Sequence, residues 1–130
     1  MAYLTTTDCL LDKLISALVT DTDLAEADVW YNYFANGLGV YTSQIKIPLP
    51  TECKRLVRFW IYVQVCMRNI GNNINKTQDG YEQDWYKVKY EQYLKLLDEE
   101  KANMTPNKIM GIELDNMQSN QERSNTMERA

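Results

Sequence analysis

Apolar positions recur at helical spacing in four stretches of this chain. In residues 7–19, Leu11, Leu14, Ile15 and Leu18 form one stripe. Thr6 or Thr7 can cap its start, and Asp8 suits the positive end of a helix. A second helix is predicted from Asp23, where Asp23 and Glu26 have capping-box spacing with Asp in place of Ser or Thr. Ala27, Trp30, Tyr31, Phe34 and Leu38 then mark its buried face, and Gly37 and Gly39 stop it. The third helix, 51–70, starts at Thr51 as cap with Glu52 in its first turn. Leu56, Phe59, Trp60, Val63, Met67 and Ile70 share one face, which Val57, Ile61 and Val65 widen. A helix apolar around most of its circumference belongs at the centre of a bundle or at a subunit contact. A fourth helix, 81–103, carries Tyr86, Tyr90, Tyr93, Leu94 and Leu97 at helical spacing and ends in the charged Asp98, Glu99, Glu100 and Lys101.

Two segments break this pattern. Between Val40 and Pro50, Gln44, Ile45, Lys46 and Ile47 alternate polar and apolar, and Pro48 and Pro50 exclude a helix interior. A half-buried strand or extended loop is expected there. A lone strand must pair within the chain, stay solvated or pair with a neighbour, which makes Ile45 and Ile47 candidate partner-binding residues. After Pro106, residues 105–130 hold six large apolar residues: Ile109, Met110, Ile112, Leu114, Met117 and Met127. These are too few to offset the conformational entropy of ordering a polar segment of that length. The expectation is a helical domain, 1–104, and an extended C-terminal arm, 105–130, held by a neighbouring chain through Ile109, Met110, Ile112, Leu114 and Met117. The fold class expected is all-α: a compact bundle of three to four helices, one extended loop and a long irregular C-terminal arm.

With 130 residues, 45% of them hydrophobic, the chain can build one core. A net charge of −4 weighs against a general nucleic-acid binder. Lys54, Arg55 and Arg58 form the best candidate basic patch, but the solvated first turns of a helix are the better reading of them. No apolar run reaches the roughly 20 residues a membrane span needs, and the first residues lack the pattern of a secretion signal; synthesis in a cytoplasm is expected. Three cysteines form no CxxC pair. Cys66 reads as a buried thiol; Cys9 and Cys53 sit near helix starts, where a thiolate can be favoured, but no base is evident beside them and reactivity is not expected.

Catalytic chemistry finds few footholds. The chain has no histidine, the commonest general base and metal ligand. Asp21 with Asp23, or Asp98, Glu99 and Glu100, could face a divalent ion, but the glycine and distal glutamate of a calcium loop are missing and capping accounts for Asp23. Gly37-Leu38-Gly39 is too short for a dinucleotide fingerprint. No catalytic, cofactor or metal site is assigned, and a non-enzymatic role is expected. Tyrosines of the fourth helix could stack on bases, yet Lys87, Lys89 and Lys95 are balanced by neighbouring acids. A core or protein interface is the better reading.

The layout resembles the head–tail connector, or head-completion adaptor, proteins of tailed bacteriophages. The features that carry it are the opening Met1-Ala2-Tyr3-Leu4-Thr5-Thr6 before a short helix, the acidic turn Thr20-Asp21-Thr22-Asp23, and the loop ending Ile47-Pro48-Leu49-Pro50 before a long apolar helix. The last helix, with its Tyr-Leu pairs, completes the likeness, which spans residues 1–104. The resemblance implies a virion structural subunit at the head–tail junction, repeated as a ring, commonly twelvefold. Such a ring lies below the portal, extends the channel through which double-stranded DNA passes, and offers a platform for tail proteins. It implies the portal and tail components as partners, and no membrane. In some such adaptors a C-terminal arm lies along the portal. The broad third helix and the tyrosine-rich fourth could supply the two patches that a ring needs. The alternatives are a small helical DNA-binding regulator, against which the apolar third helix argues, and a transient assembly scaffold or chaperone.

Overall fold

A computed structural model describes residues 3–71, 74–76 and 82–112. Its fold is all-α, as the periodicity predicts, with α1 (Lys13–Ser16), α2 (Asp21–Gly37), α3 (Thr51–Asn69), α4 (Trp85–Asn103) and α5 (Pro106–Met110). Between α3 and α4 stands a small antiparallel ribbon, β1 (Ile74–Lys76) with β2 (Glu82–Asp84), in which Ile74 pairs with Asp84 and Lys76 with Glu82. Residues 77–81, including the predicted start of the fourth helix at Tyr81, lie outside the described residues.

The third helix is central, as its broad apolar surface requires. Leu56, Val57, Ile61, Tyr62, Val63, Val65 and Cys66 are all buried, and α1, α2, α4 and α5 each pack against it. Met67 and Ile70 stay exposed, because the face turned to its neighbours is set by those four helices rather than by one stripe. The expected first helix is instead a 3-10 turn, Thr6–Cys9, followed by the single turn α1. Asp12 interrupts the predicted run: its carboxylate accepts from Ile15 N (3.2 Å) and caps α1. Of the predicted stripe only Ile15 is fully buried, and Leu11 is 80% exposed.

The second helix begins two residues before its predicted start. Thr20 is the cap, and it exchanges hydrogen bonds with Asp23: Asp23 N donates to Thr20 Oγ1 (3.2 Å) and Thr20 N to Asp23 Oδ2 (2.8 Å). The capping box therefore pairs Thr20 with Asp23 and has the usual threonine, one turn before the Asp23–Glu26 spacing. The third helix starts at Thr51, as predicted, with Pro50 rather than Thr51 in the cap position.

Pro106 does not end order in the chain. It occupies the first turn of α5, where a missing N–H costs nothing, and Thr105 caps the helix by accepting from Lys108 N (3.3 Å). Gly111 closes α5 at φ 75°. An added Cβ there would lie 2.8 Å from Lys46 Cγ, so the glycine permits both the left-handed turn and the close approach. Ile109 is fully buried, and its carbonyl accepts from Lys46 N (3.0 Å). The helical body therefore runs through residue 111, seven residues past the predicted boundary at 104/105. Local capping and one well-placed isoleucine order this piece, which the composition of 105–130 taken as a whole does not anticipate.

The 40–50 segment is a 3-10 turn, Thr42–Gln44, followed by irregular extended backbone with a cis Ile47–Pro48 peptide. It is no strand, and its hydrogen bond to Ile109 comes from within the same chain.

Candidate interaction surface

The seven residues expected at partner contacts divide into three groups. Ile45 and Ile109 are core residues, 6% and 0% exposed, and Met110 is half-buried against the same core. Ile47 and Ile112 are exposed, at 61% and 42%. Leu114 and Met117 lie outside the described residues. A regular strand would carry Ile45 and Ile47 on one face; they part because the backbone between a turn and Pro48 is not a continuous strand.

Among the described residues two apolar surfaces are open to solvent, where the periodicity predicts buried stripes. One is the N-terminal group Leu10, Leu11 and Leu14. The other follows α2, where Val29 and Tyr33, one turn apart, are exposed beside a row of stacked rings. Trp30 stacks on Phe34 (centroids 5.4 Å apart, 19° between planes) and on Trp60 of α3 (5.4 Å, 18°). Tyr33, Phe34, Leu38 and Trp30 line a shallow groove between α2 and the end of α4, where Lys101 forms its rim. The sequence does hold a clue. Val29 and Tyr33 sit outside the buried stripe Leu24, Ala27, Tyr31 and Ala35, on the side where an ordinary surface helix carries polar residues. The broad third helix, by contrast, is enclosed and offers little of the patch expected from it.

A polar network fixes the N-terminal leucines in place. Asp12 takes an ion pair from Lys89 (2.9 Å) and a hydrogen bond from the Tyr93 hydroxyl, both on α4. Tyr62 of α3 donates to the Cys9 carbonyl and accepts from Asp12 N (3.3 Å). Burial alone would raise the Asp12 carboxyl; the Tyr93, Lys89 and Ile15 donors outweigh it and hold the group below the usual carboxylate range. Asp23 follows the same logic: burial opposes its charge, while Arg68 (2.7 and 3.0 Å) and Thr20 more than compensate. Asp23 thus serves a cap and an ion pair.

The basic start of α3 is also engaged internally. Arg55 pairs with Glu100, Lys54 with Asp8 (3.7 Å), and Arg58 donates to the Asp8 carbonyl (2.9 Å). Among the described residues no cluster of three or more potential metal-ligating side chains occurs, and no helix is long and apolar enough to cross a membrane.

All three cysteines are buried and free, Cys9 and Cys53 included. Burial pushes Cys9 and Cys66 up to about 11 and raises Cys53 as well. The helix starts do not activate these thiols because desolvation of the thiolate dominates. Cys53 Sγ instead lies 3.5 Å from the Lys108 carbonyl and 3.9 Å from Met104 Sδ. The buried Tyr31 hydroxyl finds no full hydrogen bond; the Cys53 thiol is its polar neighbour. In native protein at pH 8, all three thiols are expected to react with an aromatic disulfide reagent only as fast as the fold opens. A thiol modified within the mixing time would contradict their burial. Compared with protein-family models, with curated proteins and with solved structures, the chain matches none.

Proposed function

We propose that this chain is a non-enzymatic structural subunit that works by repeated protein–protein contact, as a ring-forming adaptor at the head–tail junction of a phage virion. In this reading the ring joins the portal to tail proteins and extends the channel for double-stranded DNA. The observation that carries it is the presence of two separate apolar surfaces on one small body. Lys89 and Tyr93 hold the N-terminal leucine segment, whereas Lys101 rims the aromatic groove. At 1.5 Å per residue those anchors are about 12–18 Å apart along α4. Two unlike patches on one subunit favour head-to-tail contacts, which close into rings when the rotation allows. Exposed aromatic rows are also typical of protein contact surfaces. The DNA-binding alternative gains nothing from Lys54, Arg55 and Arg58, whose charges are spent within the fold.

Sedimentation velocity tests the proposal, with the full chain alone and mixed with the portal ring of the same phage. Assembly into a closed oligomer, alone or on the portal, is the expected result. A subunit that stays single at every concentration and leaves the portal's sedimentation unchanged would overturn it.

A further inference from the structure

We infer that the aromatic groove between α2 and α4 receives residues 113–117 from a second copy of this chain. The inference deepens the structural-subunit reading and rests on it. The groove is nearly all apolar: Trp30, Tyr33, Phe34 and Leu38 line it, and Gly37 adds no bulk, with nothing within 4 Å of where its Cβ would stand. Its one cation is Lys101, which makes no ion pair among the described residues. The segment Glu113-Leu114-Asp115-Asn116-Met117 carries the matching chemistry: two apolar side chains for the rings and two carboxylates for the lysine. A methionine thioether against aromatic rings is a favourable contact in its own right.

The root of that segment is fixed. Buried Ile109, the Thr105 cap and Gly111 hold α5 on the body, and Ile112 N donates to the Asn107 carbonyl (2.8 Å). The chain leaves beside Lys46 on the 40–50 loop, whereas the groove lies between α2 and the end of α4. Met117 stands five residues past Ile112, a stretch that spans up to about 17 Å when extended, so a neighbouring copy must bring its groove close to the end of α5. Head-to-tail donation of this kind leaves each copy with one filled groove and one donated segment, the arrangement of a ring.

The test is concentration-dependent sedimentation of the full chain, a Leu114→Asp/Met117→Asp variant, a Lys101→Glu variant, and Lys101→Glu combined with Glu113→Lys and Asp115→Lys. Lys101 is exposed, and unchanged circular dichroism confirms folding of each variant. The apolar variant is expected to raise the midpoint of association about a hundredfold or more, the scale of losing two buried side chains. Lys101→Glu should weaken association and the charge-swapped combination restore it. Association unaffected by the apolar variant overturns the groove assignment while leaving the ring reading standing. A chain that never associates removes both. Changes in tryptophan emission that the variants cause equally at all concentrations place the segment on its own molecule, and that also overturns the inference.

Discussion

Replacing Ile109 with alanine is expected to destabilise the fold by about 2–5 kcal/mol, the range for truncating a fully buried aliphatic side chain. Its surroundings put the loss towards the upper half of that range. The isoleucine anchors a helix of five residues, too short to persist without tertiary contacts. Loosening it also endangers the Lys46 N to Ile109 O hydrogen bond, the Lys108–Glu52 ion pair (2.8 Å) and the contact of Cys53 with the Lys108 carbonyl. Ending the chain after Ile112 should, by contrast, change stability by no more than about 0.5 kcal/mol at concentrations where copies do not associate. Urea unfolding of the three proteins decides the matter. The alanine variant should show a lower midpoint at an unchanged slope, and the truncated chain a midpoint equal to that of the full chain. A mild Ile109→Ala would return the boundary to residue 104, whereas a large loss on truncation would move it beyond residue 112.

That boundary illustrates what is legible in the sequence and what is hidden. Long amphipathic stretches announce α2, α3 and α4, because burying a continuous face contributes most of a helix's stability and its period is directly readable. Tyr86 and Leu97 are buried on α4, with Tyr90, Tyr93 and Leu94 packed beside them, as their spacing predicts. Short elements are decided by single side-chain bonds that no periodicity encodes. Asp12 splits the first predicted helix by capping a new turn, and Thr105 with Pro106 starts another where proline alone signals a stop. The surface is harder still. Trp30 and Phe34 fall on the predicted buried face, and both do pack against the core; that they also border an open groove depends on how far α4 stands from α2. Hydrophobicity alone cannot separate a side chain that fills a core from one that half-fills it and waits at the edge.

Replacing Asp12 with alanine carries the second large expected effect, about 3–5 kcal/mol, the range for removing one partner of a buried ion pair. The Asp12 side chain is only 9% exposed and serves three donors from two regions of the fold: Ile15 N at the start of α1, and Lys89 and Tyr93 on α4. Its loss leaves the Tyr93 hydroxyl without an acceptor and Lys89 without its counter-charge in a site where Lys89 is 25% exposed. Asp23→Ala should cost less, about 1–2 kcal/mol. Arg68 is 47% exposed and can turn to water, so the loss of the helix cap dominates. Both carboxyls are held below their unfolded value, near 3.9 for a free aspartate, so the stability they supply is complete above that pH. It fades as pH falls through the lower folded values, since the unfolded chain then binds protons that the folded chain refuses. Urea midpoints measured from pH 7 down to pH 2 should therefore fall steeply below pH 4 in the native sequence. An Asp12→Asn/Asp23→Asn double variant should start lower and fall less. Equal acid slopes in the two proteins would show that other carboxylates set the acid limit, and would remove these two pairs as its cause.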